Sequence, residues 1–175
     1  GNPSLNYKGL FNIAKIYVFT HASYSFKLEK ETKDLATKEG NAADGQNKFF
    51  ISLGGYKALD ADYILGGFIA YTRALNGEML IKNAGSHETI KMFNGDTMKT
   101  VVFLEIQNEW RPNISFGLTK KFSIEYTDES DMKSYSETMD LLSLGVSGQF
   151  QTSKNIYFIP EISYSTSLNK DPYAK

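Results

Sequence analysis

His21, Ala22 and Ser23 set an imidazole and a hydroxyl two positions apart, so an extended backbone brings both to one face. With Glu29 further along the same face, these are the residue types that a hydrolase uses as base, nucleophile and orienting acid. Spacing works against them as a unit. Glu29 lies roughly 20 Å from Ser23 along an extended strand, so a second strand would have to supply the acid. The plainer reading is a histidine among small polar residues. Asp128, Glu129 and Asp131 form an oxygen-rich run of the kind that holds calcium, but without the spaced ligands and glycine of an EF-hand it reads as a solvated hairpin tip. His87-Glu88 lacks the second histidine of a His-Glu-x-x-His zinc motif and reads as surface. Gly54-Gly55 and Gly66-Gly67 are not followed by the helix and Lys-Ser pair of a phosphate loop, and in strands they mark bends or close packing against an aromatic ring. The sequence therefore designates no catalytic residue, no metal site and no cofactor.

The elements that would carry these residues are bounded by composition. The chain has 175 residues, enough for a single domain over 1–175, and no cysteine, which removes disulfides, thiolate metal sites and thiol nucleophiles. Nineteen Lys and Arg against 20 Asp and Glu leave a net charge of −1, with no basic excess to meet a nucleic-acid backbone. The longest apolar run, Tyr63 to Tyr71, is half of what a spanning helix needs, about 20 residues. Spanning strands are not excluded, since they need only about 9 to 11 residues and alternate.

Alternation is what the chain shows. From 113 to 127, Ile114, Phe116, Leu118, Phe122, Ile124 and Tyr126 interleave with Ser115, Gly117, Thr119, Lys121, Ser123 and Glu125, and Lys120 alone breaks the apolar set. Val18, Thr20, Ala22, Tyr24, Phe26 and Leu28 similarly oppose His21, Ser23, Ser25, Lys27 and Glu29. Leu142, Leu144, Val146 and Phe150 oppose Ser143, Gly145, Ser147 and Gln149. Strands are expected over about 15–30, 47–57, 62–74, 99–110, 113–127, 138–150 and 155–167, most of them longer than the usual 5 to 6 residues. Pro160 falls inside the last, where it donates nothing to a ladder and requires an edge, a bulge or a break.

The connections carry a second pattern. Lys57 to Asp62, Arg111 to Asn113 and Gln151 to Asn155 are short and turn-like, whereas Glu31 to Gln46, Asn76 to Met98 and Glu129 to Glu137 are long and polar. With these alternating lengths, the interleaved strands and the aromatic residues at strand ends (Tyr63, Tyr71, Trp110, Tyr126, Phe150, Tyr164), the chain resembles a bacterial outer-membrane β-barrel of the small up-and-down or porin-like kind. That resemblance implies an antiparallel transmembrane barrel of about eight strands, or part of a larger one. Short turns and chain ends would face the periplasm, and long loops the exterior. An even count needs Leu5 to Ile13 as a further strand with a tight turn near Ala14, or a longer chain.

On this reading Ile114, Phe116, Leu118, Phe122, Ile124, Leu142, Leu144 and Val146 face lipid, and Lys27, Glu29, Arg73, Glu105, Lys121, Glu125 and Glu161 face the lumen. The placement agrees with the cost of a lysine or arginine on the lipid side, about 2 to 4 kcal/mol at the midplane. Lys120 must snorkel to an interface. The expected function is a passive channel or structural membrane protein. Its partners would be the lipid bilayer, small polar solutes and other protein chains, with no nucleic acid. Alternation alone leaves open a soluble lipocalin-like barrel that turns the same apolar faces inward around a small ligand. A weaker alternative is an outer-membrane lipid hydrolase, from the faint likeness of His21-Ala22-Ser23 to the His-x-Ser element of lipid A deacylases.

Overall fold

Period-two patterning becomes hydrogen-bonded register. A computed structural model describes residues 3–27, 31–34, 46–83, 86–153 and 156–168, and every regular element among them is a strand. In chain order these are β1 (Ser4–Ile13), β2 (Ile16–Ser25), β3 (Glu31–Asp34), β4 (Gln46–Ala58), β5 (Tyr63–Asn83), β6 (Ser86–Asn94), β7 (Thr97–Ile106), β8 (Asn113–Lys121), β9 (Ile124–Thr127), β10 (Lys133–Tyr135), β11 (Met139–Ser147), β12 (Phe150–Ser153), β13 (Ile156–Phe158) and β14 (Glu161–Ser167). Eight of them form an antiparallel meander in the order β1-β2-β4-β5-β7-β8-β11-β14. The up-and-down all-β architecture is as expected, and Leu5 to Ile13 does form the additional strand.

The sheet does not close. β1 and β14 are its two edges, so the expected barrel is an open, curved wall among the described residues. The first residue of β1 and the last of β14 also lie at the end carrying the long connections, opposite the short turns, because Ser4 pairs with Ser25 and Ser167 with Leu141. The resemblance implied chain ends on the short-turn side.

Short turns follow local side-chain chemistry. Ala14 and Lys15, at φ of 50° and 69°, make the two-residue turn between β1 and β2, with the positive φ that a type I′ hairpin requires. Asp60 Oδ1 accepts from the backbone N–H of Asp62 and Tyr63 at 2.8 and 2.9 Å. Asn108 Oδ1 accepts from those of Trp110 and Arg111 at 2.9 and 3.0 Å. These are Asx turns, in which the side chain stands in for a backbone acceptor.

The long connections are not simple loops. β5 runs for 21 residues, roughly 70 Å at 3.3 Å per residue, well past the end of the meander. There it pairs with β6 and, in parallel, with β3; β6 pairs with β9, and β9 with β10. Gln46, Gly77, Met92, Tyr126 and Ser134 fall in one cross-strand row of this extension. Met79 and Met92 are its buried apolar residues. Asp128 closes the β9–β10 hairpin by accepting from the N–H of Ser130 and Met132 at 2.9 and 2.8 Å, so its carboxylate is spent on the turn.

Two long expected strands break where their neighbours end. The segment 113–127 divides after Lys121, the last residue of β8 to pair with Thr97 and Met139. The Phe122 N–H then bonds the Asp96 carbonyl in the turn that Gly95 makes at φ 96°, and Ile124 joins β9 opposite Asn94. The segment 155–167 divides at Pro160, whose carbonyl instead accepts from Gly148 N–H at 3.1 Å. The segments 99–110 and 138–150 stop at Ile106 and Ser147, leaving Trp110 in a turn and Phe150 at the start of β12.

Candidate functional site

Residues directly opposite each other in an antiparallel ladder share a face, so the registers sort the meander into two surfaces. One carries Tyr164, Leu144, Phe116, Val102, Gly67, Gly55, Val18 and Phe11 in one row, and Thr166, Leu142, Leu118, Thr100, Ile69, Leu53, Thr20 and Gly9 in the next. The other carries Ser165, Ser143, Gly117, Val101, Phe68, Gly54, Phe19 and Leu10, then Ser163, Gly145, Ser115, Phe103, Gly66, Tyr56, Tyr17 and Asn12. Curvature tells them apart. Ser52, Ala70 and Val101 on the second face are at most 8% exposed, whereas Phe116, Leu144 and Val146 on the first are 49 to 51% exposed. The first face is convex and apolar; the second is concave.

The concave face holds a cleft of about 870 Å³ across β1, β2, β4, β5 and β7. Its middle is aromatic, and strand glycines make the seats. A Cβ on Gly66 would stand 2.4 Å from Cζ of Phe103 and 2.8 Å from Cβ of Tyr56, so only glycine admits that ring. Phe19 and Phe68 flank Gly54 with ring centroids 6.3 Å apart, and Tyr56 stacks on Tyr17 at 5.1 Å. One glycine of each pair, Gly54 and Gly66, thus serves ring packing, while Gly55 and Gly67 lie on the convex side against the carbonyl oxygens of Tyr17 and Val101. The other half of the face, on β8, β11 and β14, is hydroxyl-rich: Ser115, Ser143, Ser163 and Ser165 line a second cleft of about 350 Å³ with Lys99 and Glu161.

His21 lies at the upper end of the larger cleft, towards the long connections. Its Nε2 meets Asn6 Oδ1 at 3.3 Å and its ring stands edge-on to Phe50, with centroids 5.0 Å apart. Ser23 shares its face two residues on. Asn6 is the hydrogen-bond partner of the imidazole among the described residues, where a hydrolase would place a carboxylate. Glu29 and the side chain of His87 lie outside the described residues.

The expected lumen charges separate into groups. Glu105 is concave at the short-turn end and accepts from Gln107 Nε2 at 2.5 Å; Glu161 is in the same cross-strand row. Lys121 is concave at the opposite end, in a row with Thr97 and Thr72. Lys27 follows β2, with its N–H bonded to Asn47 Oδ1 at 2.7 Å. Two positions differ from expectation. Arg73 falls in register with Phe49 and Tyr24, on the convex side at the long-connection end. Glu125 belongs to β9, 2.8 Å from Lys133, and their hydrogen bond holds that lysine above its ordinary pKa. Lys8, Lys99 and Arg111 are functional candidates beyond the expected set. Lys8 and Lys99 carry the alternation signal, since Lys8 interleaves with Tyr7 and Gly9 and Lys99 has the parity of Glu105.

Of the residues expected to face lipid, Ile114, Phe116, Leu118, Leu142, Leu144 and Val146 lie together on the convex face. Phe122 is exposed just beyond β8, its ring centroid 5.7 Å from Lys120 Nζ. Ile124 departs: it is half-buried in β9, and its side chain would meet a Cβ on Gly95 at 2.8 Å, beside Ala74 of the concave side. The chain bends away at Ser123, so parity no longer carries from β8 to β9. Lys120 sits at the convex edge, 3.9 Å from Asp140. No family model and no curated protein sequence matches the chain.

Proposed function

We propose that the eight meander strands are wall of a β-barrel in a bacterial outer membrane, serving as a passive channel component or structural membrane protein and not as an enzyme. One observation carries this reading: the convex face is uncharged and apolar between two charged margins. Lys57 marks one margin, and Arg73, Lys120 and Asp140 mark the other. On β5 the uncharged convex run extends from Tyr63 to Tyr71, nine positions, within the length of about 9 to 11 residues that a strand needs to cross a bilayer. Left in water, each large side chain of that face would forgo about 1.5 to 3 kcal/mol of burial. The buried apolar residues among those described are only Ala70, Ala74, Met79, Met92 and Val101, so the large side chains of the convex face have no protein core to enter. The concave face, with its serines, lysines and glutamates, would line a conduit for small polar solutes, and the edges at β1 and β14 would take further strands of the barrel.

A soluble ligand-binding barrel would need Ile114, Phe116 and Leu118 inside, on the side where Ser115, Gly117 and Thr119 stand. Because the chain contains no cysteine, single-cysteine spin labels test the assignment directly. Labels at Phe116 and Leu144 are expected to collide with lipid-dissolved oxygen, and a label at Ser143 with a water-soluble relaxer. The reverse pattern, or a protein that stays in the aqueous fraction without detergent, rejects the proposal.

A further inference from the structure

Charge on the concave face is sorted along the strands. Three consecutive cross-strand rows, counted from the long connections, contain Lys121, then Lys8 and Lys99 with His21, then Phe19 and Phe68, and none of the three contains a carboxylate. Lys8, Lys99 and Lys121 have no ion-pair partner among the described residues. The carboxylates Glu105 and Glu161 occupy a single row at the short-turn end. That row is six residues from His21, roughly 20 Å along the strand. The larger cleft spans this distance, from Lys8 and His21, past Phe19, Phe68 and Phe103, to Glu105.

We infer that this cleft binds a single-chain anionic amphiphile, its head on Lys8 and His21 and its alkyl chain along Phe19, Phe68 and Phe103. The inference rests on the concave face being the interior of the wall proposed above, and it names a ligand class for it. Phenylalanine rings without hydrogen-bonding groups match an alkyl chain, which gains by leaving water over the whole aromatic stretch. A desolvated anion is tolerated only where cations meet it. The upper end offers Lys8, with Lys99 in the same row and no carboxylate, whereas the cation lining the lower end, Arg111, shares the cleft with Glu105. Glu105 offsets Arg111 at the lower end and disfavours the reversed orientation, so the same charge pattern that admits the ligand also sets its direction.

Decanoate and decanol, titrated below their aggregation limits into liposomes carrying the full chain, test this against protein-free liposomes. A saturable decanoate site is expected, at least tenfold tighter than for decanol. Lys8→Gln, at an exposed position that folding does not depend on, should remove most of that preference; Phe68→Ala should weaken both ligands; Glu105→Gln should leave decanoate binding no weaker. Absence of a saturable component, or equal affinity for acid and alcohol in the unaltered protein, overturns the inference. Liposome flotation of the same samples separates the two proposals. Protein that floats but binds no decanoate leaves the wall and removes the ligand, whereas protein that stays in the aqueous phase and still binds decanoate does the opposite.

Discussion

Gly54 and Phe68 face each other across β4 and β5, and the contact leaves no room for a methyl group. A Cβ on Gly54 would stand 2.5 Å from Cβ of Phe68 and 2.6 Å from the carbonyl oxygen of Gly67. Neither atom is the free end of a side chain, so Gly54→Ala forces the backbones of two central strands apart. The expected loss is about 1 to 3 kcal/mol, the range for overpacking. Gly145 is the control. A Cβ there meets Ser115 Oγ at 2.7 Å, and a hydroxyl can rotate away. Gly145→Ala should be near neutral, helped by the lower entropy of the unfolded chain. Denaturant midpoints of the two variants in the same lipid or detergent check the difference; equal shifts would show that ring seating does not constrain Gly54.

The short turns between β4 and β5 and between β7 and β8 each depend on one side-chain acceptor. Asp60→Ala strips the Asp62 and Tyr63 N–H groups of their partner, and Asn108→Ala does the same to Trp110 and Arg111. Each is expected to cost about 1 kcal/mol, softened because these exposed N–H groups can turn to water. Asp60→Asn retains the acceptor oxygen and should keep most of the stability. Thermal unfolding of the three variants reads this out, and an Asp60→Asn loss equal to that of Asp60→Ala would place the effect in charge instead of the turn.

Where alternation runs beside a continuous neighbour, the face of every residue was legible in the sequence. Ile114 to Leu118 and Leu142 to Val146 have period two and lie in paired strands, so parity alone puts them on one surface. Parity fails where a strand loses its neighbour. Ile124 and Glu125 continue the written pattern of β8, yet the turn at Gly95 and Asp96 removes β7 from beside them and the chain turns into β9. Arg73 misleads differently, since β5 is apolar on both faces and nothing local says which side a terminal arginine takes; only pairing with Phe49 decides. The extension built from β3, β6, β9 and β10 was illegible because three of its strands are only three or four residues long and its pairing is long-range. The cleft was half legible. Glycines beside aromatics were visible, but that Phe103 of β7 reaches Gly66 of β5 depends on the register between them.

The turn at Ala14 and Lys15 holds two side-chain-bearing residues at positive φ, a conformation that costs about 1 to 2 kcal/mol for an ordinary L residue. Asn-Gly is the pair that adopts it readily. Replacing Ala14 with Asn and Lys15 with Gly should therefore stabilise the β1–β2 hairpin by about 1 kcal/mol, raising the thermal midpoint by about 2 to 4 °C for a chain of this size. An unchanged or lowered midpoint would mean that the native turn is not strained as its dihedral angles indicate.

A lysine at Phe116 discriminates the environment of the convex face more sharply than removal of the ring does. Phe116 sits in a row with Leu144, Val102 and Gly67, the middle of the uncharged Tyr63–Tyr71 run of β5, whereas the native Lys120 lies four residues along the same strand beside Asp140. In a bilayer, Phe116→Lys should cost about 2 to 4 kcal/mol, and Leu118→Lys less because it is nearer the margin that already carries Lys120 and Asp140. In water the order disappears. An exposed Phe→Lys change on a soluble sheet usually alters stability by no more than about 0.5 kcal/mol and would improve solubility. The folded fraction recovered in liposomes, measured for both variants against the unaltered chain, should fall most for position 116. Equal tolerance at the two positions would mean that depth along the strand has no energetic meaning, and the convex face would then be meeting solvent or protein in place of lipid.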